Sequence, residues 1–248
     1  MTIAARVLTA AAALCLAASA HAQEATPPVE QIIRRYHEAV GAAAFVDIQS
    51  IHSVGAIAIP AAGITGTFEI WQARPNRTLI RASIPGFGEV QTGYTGTSGW
   101  SVDPSDGPRL LSGDEGAQAQ DDAQFDSHLR TPVLVDSMTA VERTTLAGHD
   151  CYKIRTTWKS GRITTDCFSV ETGLLIASVR THHSSAGATE AVVLYEEYRE
   201  FGGARLPTRI TSRIQGVDQI ITLERVTLNS APDSAFIPPA EVRLLLRG

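Results

Sequence analysis

Residues 198–207 of this chain read Tyr-Arg-Glu-Phe-Gly-Gly-Ala-Arg-Leu-Pro, and the sequence around this stretch decides the fold. Two runs follow, residues 206–215 and 219–228, in which apolar and polar side chains alternate. The tail, residues 229–238, then reads Asn-Ser-Ala-Pro-Asp-Ser-Ala-Phe-Ile-Pro. Alternation with a period of two, broken by turns rich in glycine and proline, is typical of antiparallel strands. We therefore interpret this part of the chain as the closing edge of an antiparallel sheet.

The same alternation continues over most of the chain. It begins near residue 49 and runs to about residue 100, and it resumes over residues 140–228 with short turns between the runs. Strands joined by such short turns are antiparallel neighbours. Because every sheet twists, about 11–12 strands in one series must curl strongly or close. The sequence therefore predicts a mainly β protein.

A helix precedes the first strand. Thr26 is a candidate N-cap, two prolines suit the first turn, and Gly41 ends the pattern. One apolar stripe runs along this helix and consists of Val29, Ile32, Ile33, Tyr36 and Val40. We expect this stripe to pack on the sheet.

Residues 113–139 interrupt the strands and are predicted to be a helical insertion. Ser112 with Glu115 forms a capping-box pattern, from which a first helix is expected to run to about Arg130. A second short helix is expected to begin at residues 131–132 (Thr-Pro) and to extend to residue 139. Since the first helix is rich in Ala, Gln and Asp, it would pack lightly. It is therefore either a movable lid or a rigid crossover between two half-sheets.

Residues 1–22 have the pattern of a secretory signal peptide. Arg6 supplies the positive charge, residues 7–18 form the apolar core, and Ala-His-Ala at residues 20–22 fits a cleavage site. The alternative is an uncleaved anchor, but the apolar run is shorter than the roughly 20 residues that span a bilayer. We expect an exported, soluble, periplasmic protein whose residues 23–248 form a single domain.

Two cysteines remain after the expected cleavage, Cys151 and Cys167. They flank a predicted hairpin that turns at residues 159–161, and their spacing places both on the same face of it. Pairs of cysteines in exported proteins are usually oxidised. We predict a structural disulfide between them, in a register that is uncertain by a residue or two, and we expect a diagonal pair to close only with a bulge.

Composition and motifs argue against several classes of function. The chain has 21 basic and 26 acidic residues and no basic block, which argues against a nucleic-acid partner. His182 and His183 are adjacent on a predicted strand, so they point to opposite faces and cannot share a metal ion. No Gly-x-Ser-x-Gly motif and no phosphate-binding loop occurs. We predict no catalytic residue, no metal and no cofactor; a hydrolase with an unrecognised site is an alternative.

Four segments carry a family resemblance, in this order along the chain: Gly-Ile-Thr-Gly-Thr at residues 63–67, Gly-Tyr-Thr-Gly-Thr-Ser-Gly-Trp at 93–100, Gly-Pro-Arg-Leu-Leu-Ser-Gly at 107–113, and Phe-Ser-Val-Glu-Thr-Gly-Leu at 168–174. With residues 198–207, this series resembles the outer-membrane lipoprotein-sorting-like proteins of the LolA/LolB superfamily. The resemblance implies an unclosed antiparallel β-barrel with an apolar concave face, covered by helices, that holds acyl chains or lipids.

The residues expected to line such a cavity are the large apolar side chains of the strands and of the insertion: Phe68, Ile70, Ile80, Ile84, Trp100, Leu110, Leu111, Phe125, Leu129, Ile154, Trp158 and Phe168. The alternative is that they fill a dry core. We expect a monomeric, non-enzymatic carrier or chaperone for a lipid or a lipoprotein acyl chain. The alternative is an envelope sensor or adaptor that binds another protein, such as an envelope membrane protein.

Overall fold

The computed structural model describes residues 26–146 and 148–247, so the predicted signal peptide lies outside the described residues. Helix α1 spans Val29–Val40, as the apolar stripe predicted. Its N-cap is Pro28 and not Thr26, and no side chain caps it. Gly41 ends the helix in the left-handed conformation at φ 67°. Two further α-helices are described, α2 (Gly113–Asp122) and α3 (Ala240–Leu245).

Thirteen strands are described, and together they form one sheet. They are β1 (Ser50–Ile59), β2 (Ile64–Ala73), β3 (Arg77–Ile84), β4 (Gly88–Tyr94), β5 (Gly99–Asp103), β6 (Gly107–Leu111), β7 (Val135–Leu146), β8 (His149–Trp158), β9 (Ile163–Ser169), β10 (Leu175–Ser184), β11 (Gly187–Phe201), β12 (Ala204–Ile214) and β13 (Val217–Leu228). All pairings are antiparallel and the sheet is open, which matches an unclosed β-barrel. The sequence predicted 11–12 strands, and β6 is the strand that was not predicted.

Two meanders meet in the middle of the sheet. The strand order is β6-β5-β4-β3-β2-β1-β13-β12-β11-β10-β9-β8-β7. β13 pairs with β1, for example Ile51 with Leu228, so the last strands are not the closing edge and that expectation is wrong. The free side of β1 is instead filled by β13, which joins the two halves. The two edges are β6 and β7, and the segment with α2 connects them.

The insertion is less helical than predicted. α2 ends at Asp122, and a 3₁₀ turn at Ser127–Leu129 replaces the rest of the first predicted helix. The second predicted helix, over residues 131–139, is wrong, because β7 begins at Val135 and pairs with Trp158 of β8. Pairing with a neighbouring strand overrides a weak local helix signal, and β-branched residues such as Val135 and Thr139 suit a strand.

One main core lies where α1 covers the sheet. The buried α1 residues Ile32, Ile33, Tyr36 and Val40 pack with Phe45, Ile48, Ile51, Phe125, Leu129, Ile154, Phe168, Leu175 and Ala204. We call the sheet face that carries Ile51, Ile154 and Phe168 the inner face, and the opposite face the outer face. The predicted disulfide, Cys151–Cys167, is present and buried in a small cluster that includes Ala177.

The disulfide joins its two strands diagonally. Cys151 lies opposite Ser169, and Cys167 lies opposite Lys153. The register of β8 and β9 is regular along these residues, yet the two Cα atoms are 5.5 Å apart. The expectation that a diagonal pair needs a bulge is therefore wrong here, because the twist of an antiparallel pair brings one set of diagonal neighbours close together.

Candidate functional site

The inner face of the first meander is apolar in its middle and polar at its edge. In antiparallel strands, directly paired residues point to the same side of the sheet. One row of paired residues crosses all six strands from β1 to β6 and consists of Ser53, Ile70, Ile80, Thr92, Ser101 and Arg109. Ser53 shares the parity of Ile51, so this row lies on the inner face. In this row the apolar residues are therefore those of β2 and β3.

Five of the predicted lining residues belong to this inner face. Phe68 pairs with Ala82, and Ile70 pairs with Ile80, in neighbouring rows. Ile84 has the same parity as Ile80 and is also inner. Leu111 pairs with Gly99 and lies beneath α2, since a Cβ at Gly99 would meet both Leu111 and Ala119. Phe68 is 7% exposed and the others are half-buried.

Two predicted residues lie on the other side of the sheet. Trp100 pairs with Gly93 and with Leu110, one residue out of step with the inner row. Trp100 packs on the outer face against Leu79 and Val242, beneath α3. After a short turn a strand can begin on either parity, and only the register with its neighbour decides which. Trp100 and Leu110 therefore do not line the inner face.

Four other predicted residues are packed together beneath α1. Phe125, Leu129, Ile154 and Phe168 belong to the main core, where the Phe168 ring meets the ring of Tyr36 edge-on at 5.1 Å. Trp158, the last of the twelve, lies on the inner face, where its indole N–H makes a hydrogen bond. Its Nε1 donates to Thr164 Oγ1 at 3.2 Å.

A buried polar centre occupies the inner face of the second meander. Asp166 is fully buried, and its carboxylate accepts four hydrogen bonds. Oδ2 accepts from Arg130 Nε at 2.8 Å, from Thr156 Oγ1 at 3.0 Å and from Thr164 Oγ1 at 3.2 Å, and Oδ1 accepts from Ser178 Oγ at 2.8 Å. We call these five residues the Asp166 centre. They join three strands to the segment that follows α2.

Sequence reasoning missed this centre, although a signal was present. Thr156, Thr164, Asp166 and Ser178 share the parity of Ile154 on three consecutive strands. Polar residues at matching inner positions of neighbouring strands indicate a buried network, because a buried polar group needs a partner. The sequence around Arg130 gave no such signal, because Arg130 is not in a strand and meets Asp166 only in the folded protein.

The charges of the Asp166 centre are stabilised by each other. Burial alone raises the pKa of the Asp166 carboxyl, but Arg130, Ser178 and Thr156 together hold that pKa below its usual range. Burial by itself lowers the pKa of the Arg130 guanidinium. The attraction of the Asp166 carboxylate outweighs this effect, so the pKa of Arg130 is raised. Burial also raises the pKa of Tyr36, whose ring lies under this guanidinium, to about 12. The pair is therefore ionised at neutral pH.

Helix α2 covers part of the inner face mainly through polar contacts, and Ala119 packs near Gly99 and Leu111. No residue of Gly113–Asp122 is buried. At its N-terminal end, Glu115 accepts two hydrogen bonds from Arg109 of β6, at 2.6 and 2.7 Å. In the middle, Gln118 Oε1 accepts from the backbone N–H of His183 on β10 at 2.8 Å.

The C-terminal end of α2 is held from the opposite edge of the sheet. Arg162 donates to Asp122 at 2.7 Å and lies 3.3 Å from Asp121, while Ser160 Oγ donates to Asp121 at 2.6 Å. Arg180 lies 3.5 Å from Asp122. α2 therefore bridges the gap between β6 and the β8–β10 side of the open barrel.

The chain after α2 is fixed more firmly than α2 itself. Arg74 forms a two-pronged ion pair with Asp126 and also donates to the carbonyls of Ile48 and Phe45, each at 2.8 Å. Its guanidinium lies 4.6 Å from the Phe125 ring centre. α2 therefore connects β6 to the segment around Asp126, which Arg74 fixes to the rest of the protein.

Two of the surface grooves over residues 26–146 and 148–247 are well defined, and neither is lined by any of the twelve predicted residues. A groove of about 430 Å³ runs over β9, β10 and β11 and includes Thr165 and Val179 of the outer face. A second, of about 240 Å³, lies over β2, β3 and β4 and includes Glu69 and Arg81. Within the described ranges, no group of three or more His, Cys, Asp or Glu residues is placed to hold a metal ion.

Comparison with known proteins identifies the fold. No family model matches the sequence, and no curated protein matches it. A LolA superfamily protein from Nitrosomonas europaea matches in structure with a TM-score of 0.56 at 16% identity, over 86% of this chain and 99% of that one. This chain has the LolA-like fold. A putative outer membrane lipoprotein-sorting protein domain from Vibrio parahaemolyticus matches the LolA-like fold with a TM-score of 0.55 at 7% identity, over 84% of this chain and 97% of that one.

A third solved structure agrees. A DUF1329 family protein from Desulfovibrio piger matches with a TM-score of 0.55 at 15% identity, over 86% of this chain and 98% of that one. These structural matches establish the LolA-like fold. Because the sequence identities are low, the function has to be argued from the residues of the site. None of the helices in residues 26–146 and 148–247 is long and apolar enough to cross a membrane.

Proposed function

We propose that this protein is a non-enzymatic carrier in the periplasm that buries a lipophilic ligand, such as an acyl chain, a lipid or a lipoprotein anchor. One observation carries the proposal: α2, a helix without a buried residue, lies over β4, β5, β6 and β10 of a LolA-like inner face, beside the apolar residues of β2 and β3. A cover that is held mainly by polar contacts exposes little apolar surface of its own when it leaves. The name of the Vibrio parahaemolyticus relative supports a link to lipoprotein sorting.

The proposed binding surface is narrower than the twelve residues that the sequence suggested. It consists of Phe68, Ile70, Ile80, Ile84 and Leu111, which share the inner face on β2, β3 and β6. Displacement of α2 uncovers Leu111 at one end of this surface and gives an acyl chain more room on the inner face. Each buried CH₂ of the ligand contributes about 0.8 kcal/mol. The ion pairs that hold α2 are half-buried, and hydrogen bonds to charged groups contribute about 1.5–3 kcal/mol each, so a long acyl chain is needed to offset these contacts.

The first experiment is native mass spectrometry of residues 23–248 purified from a periplasm, followed by lipid extraction. A carrier retains a stoichiometric lipid or acylated peptide, or takes up added fatty acid or phospholipid. A protein that is free of lipid and takes up neither of these added ligands refutes the proposal.

A matched pair of variants tests where the ligand binds. Ile80→Asp introduces a charge on the inner face and is expected to abolish uptake of a fluorescent fatty acid. Ile163→Asp is the control, because Ile163 is an isoleucine of the outer face that is 44% exposed. Equal loss in both variants contradicts the proposed surface. Thermal unfolding of each variant shows whether it has folded.

A second candidate function, that of an envelope sensor or adaptor, is favoured by one observation. β7 is an edge strand of 12 residues that pairs only with β8. An extended segment of a partner protein can add to such an edge through backbone hydrogen bonds. A stoichiometric protein in the native mass spectrum, without lipid, supports this function over the carrier.

A further inference from the structure

The inner-face row that crosses the first meander changes in polarity along its length. Its apolar residues are Ile70 and Ile80 on β2 and β3, and the hydroxyl residues Thr92 and Ser101 follow on β4 and β5. Arg109 ends the row on β6. Because neighbouring strands lie about 4.8 Å apart, roughly 14 Å separate Ile80 from Arg109. The row therefore passes from an apolar end to a cationic end, as an amphiphilic molecule with an anionic head does.

Helix α2 lies over the polar part of this row. It contacts β4, β5 and β6, whereas the apolar residues Ile70 and Ile80 lie beside it on β2 and β3. Ser101 is buried, and Thr92 and Arg109 are half-buried. A ligand that lies along the row would therefore have its apolar chain beside α2 and its polar end beneath α2.

A carboxylate of α2 already occupies the cationic end of the row. Both terminal nitrogens of Arg109 donate to Glu115, at 2.6 and 2.7 Å. The two side chains are 27% and 21% exposed, so solvent screens this pair only in part. A guanidinium binds carboxylate and phosphate groups through this same two-pronged geometry. Glu115 therefore stands where the anionic group of a ligand can bind.

Arg109 has few other partners for its charge. Its Nε is buried and has no hydrogen-bond acceptor among the described residues, and Asp106 lies 3.6 Å from that nitrogen. When α2 is displaced, Glu115 leaves with it, and both terminal nitrogens of Arg109 lose their acceptors. Since an unpaired charged group away from water is unfavourable, a ligand that brings its own anion displaces α2 most easily.

We infer that the ligand is an anionic amphiphile, whose acyl chain lies on Ile70 and Ile80 and whose carboxylate or phosphate replaces Glu115 on Arg109. This inference rests on the proposed function and names the chemical class of its ligand. α2 acts as an internal competitor for the anionic group. A neutral lipid makes the same apolar contacts but leaves Arg109 unpaired, so it binds more weakly.

Competition against a neutral fluorescent alkyl probe tests the inference with the protein of residues 23–248, at about pH 8, where a carboxylic acid is ionised. Dodecanoate and dodecyl phosphate are expected to bind about tenfold more tightly than dodecanol, because hydrogen bonds to a charged group favour the anion by at least this factor. A preference for only one of the anions also supports the inference and identifies the headgroup. Arg109→Gln is expected to remove the preference.

The control variant is Arg162→Gln, which loosens the other end of α2 and does not contact Arg109. It should change the affinities for all three ligands by the same factor and keep the preference for the anions. Glu115→Gln removes the charge of the internal competitor and should strengthen binding of the anions more than that of dodecanol. This variant tests the inference independently if thermal unfolding shows that Arg109→Gln does not fold.

Two results overturn the inference and leave the proposed function standing. One is equal affinity of the wild type for dodecanol and both anions, and the other is a preference for the anions that persists in Arg109→Gln. If none of the three ligands binds, the proposed function fails, and the inference fails with it.

Discussion

Arg130 Nε donates to Asp166 Oδ2 at 2.8 Å inside the barrel, where the two side chains are 5% and 0% exposed. Arg130 reaches this position with a left-handed backbone at φ 51°, a conformation that is costly for a residue other than glycine. Its Nη1 also donates to the carbonyl of His128 at 2.8 Å. The ion pair therefore fixes the chain that follows α2 to the floor of the inner face.

Removing one partner of this pair should be strongly destabilising. We expect Asp166→Asn to lower the free energy of unfolding by about 3–5 kcal/mol, because it leaves the Arg130 charge buried without a counter-charge. Urea denaturation measures the change. Arg213→Gln, which breaks the exposed pair with Asp218, is the control and should change the free energy of unfolding little. A similar small loss for Asp166→Asn contradicts the assigned role.

Adding Arg130→Met to Asp166→Asn should recover part of the lost stability, since the uncompensated charge is then removed. A double variant that is less stable than Asp166→Asn shows that Arg130 contributes mainly through its packing on Tyr36 and Phe168.

His128 should make stability depend on pH. Burial lowers the pKa of His128 from 6.5 to about 4. Between these two values the unfolded chain binds a proton that the folded chain does not, so stability falls as pH drops from about 6.5 to about 4. The loss is of the order of 3 kcal/mol. Urea denaturation at several pH values measures it.

His128→Gln is expected to flatten the pH profile over this window, and His149→Gln, at an exposed position, to leave it unchanged. An unaltered profile in His128→Gln shows that other groups cause the pH dependence.

Gly41 should tolerate no side chain, for two separable reasons. It has φ 67°, and a Cβ there would lie 2.0 Å from the carbonyl oxygen of Gly203. Gly63 has a similar φ of 63° but open space around the Cβ position. We expect Gly63→Ala to cost about 1–2 kcal/mol for the backbone alone, and Gly41→Ala to cost clearly more. Equal thermal shifts for the two variants would rule out the close contact with Gly203.

Arg162 should control how tightly α2 is held. Its guanidinium contacts both Asp121 and Asp122 and stacks on the Trp158 ring at 4.7 Å. We expect Arg162→Gln to increase amide hydrogen exchange in α2 by about tenfold, with little change in β8 and β9, because local opening is set by local contacts. Exchange that rises equally in the strands indicates a general loss of stability. The exposed variant Arg213→Gln is again the control.

The disulfide should stabilise the second meander. Cys151 and Cys167 are 16 residues apart, and closing a loop of this length contributes about 3 kcal/mol. We expect Cys151→Ser with Cys167→Ser to lower the free energy of unfolding in urea by about this amount, and reductant to lower that of the wild type similarly. A stability that neither treatment changes contradicts the prediction.

Several elements were predictable because their signals are local. The apolar stripe from Ile32 to Val40 predicted α1, and the hairpin that carries Cys151 and Cys167 predicted the disulfide. The first residues of β7 were predicted to be helical, because Thr131-Pro132 taken alone is typical of a helix start. Its pairing with Trp158 lies far enough along the chain that no local pattern contains it.

The candidate site was predictable only in part. Ile70 and Ile80 were correctly placed on one face because a short turn connects their strands. Trp100 was not, since its parity depends on the register with Gly93 across another turn. The Asp166 centre was missed because the burial of this carboxylate depends on the segment that packs over it, which includes Arg130.

By itself the sequence determined the strand period, the turns, α1 and the pairing of the two cysteines, because each depends on neighbours close along the chain. Only the tertiary structure decided that β13 joins β1, which residues face inward, and that Arg130 meets Asp166 on the inner face. The physical reason is that alternation defines two faces but not which of them is inner. That choice depends on register and on the helices that cover the sheet.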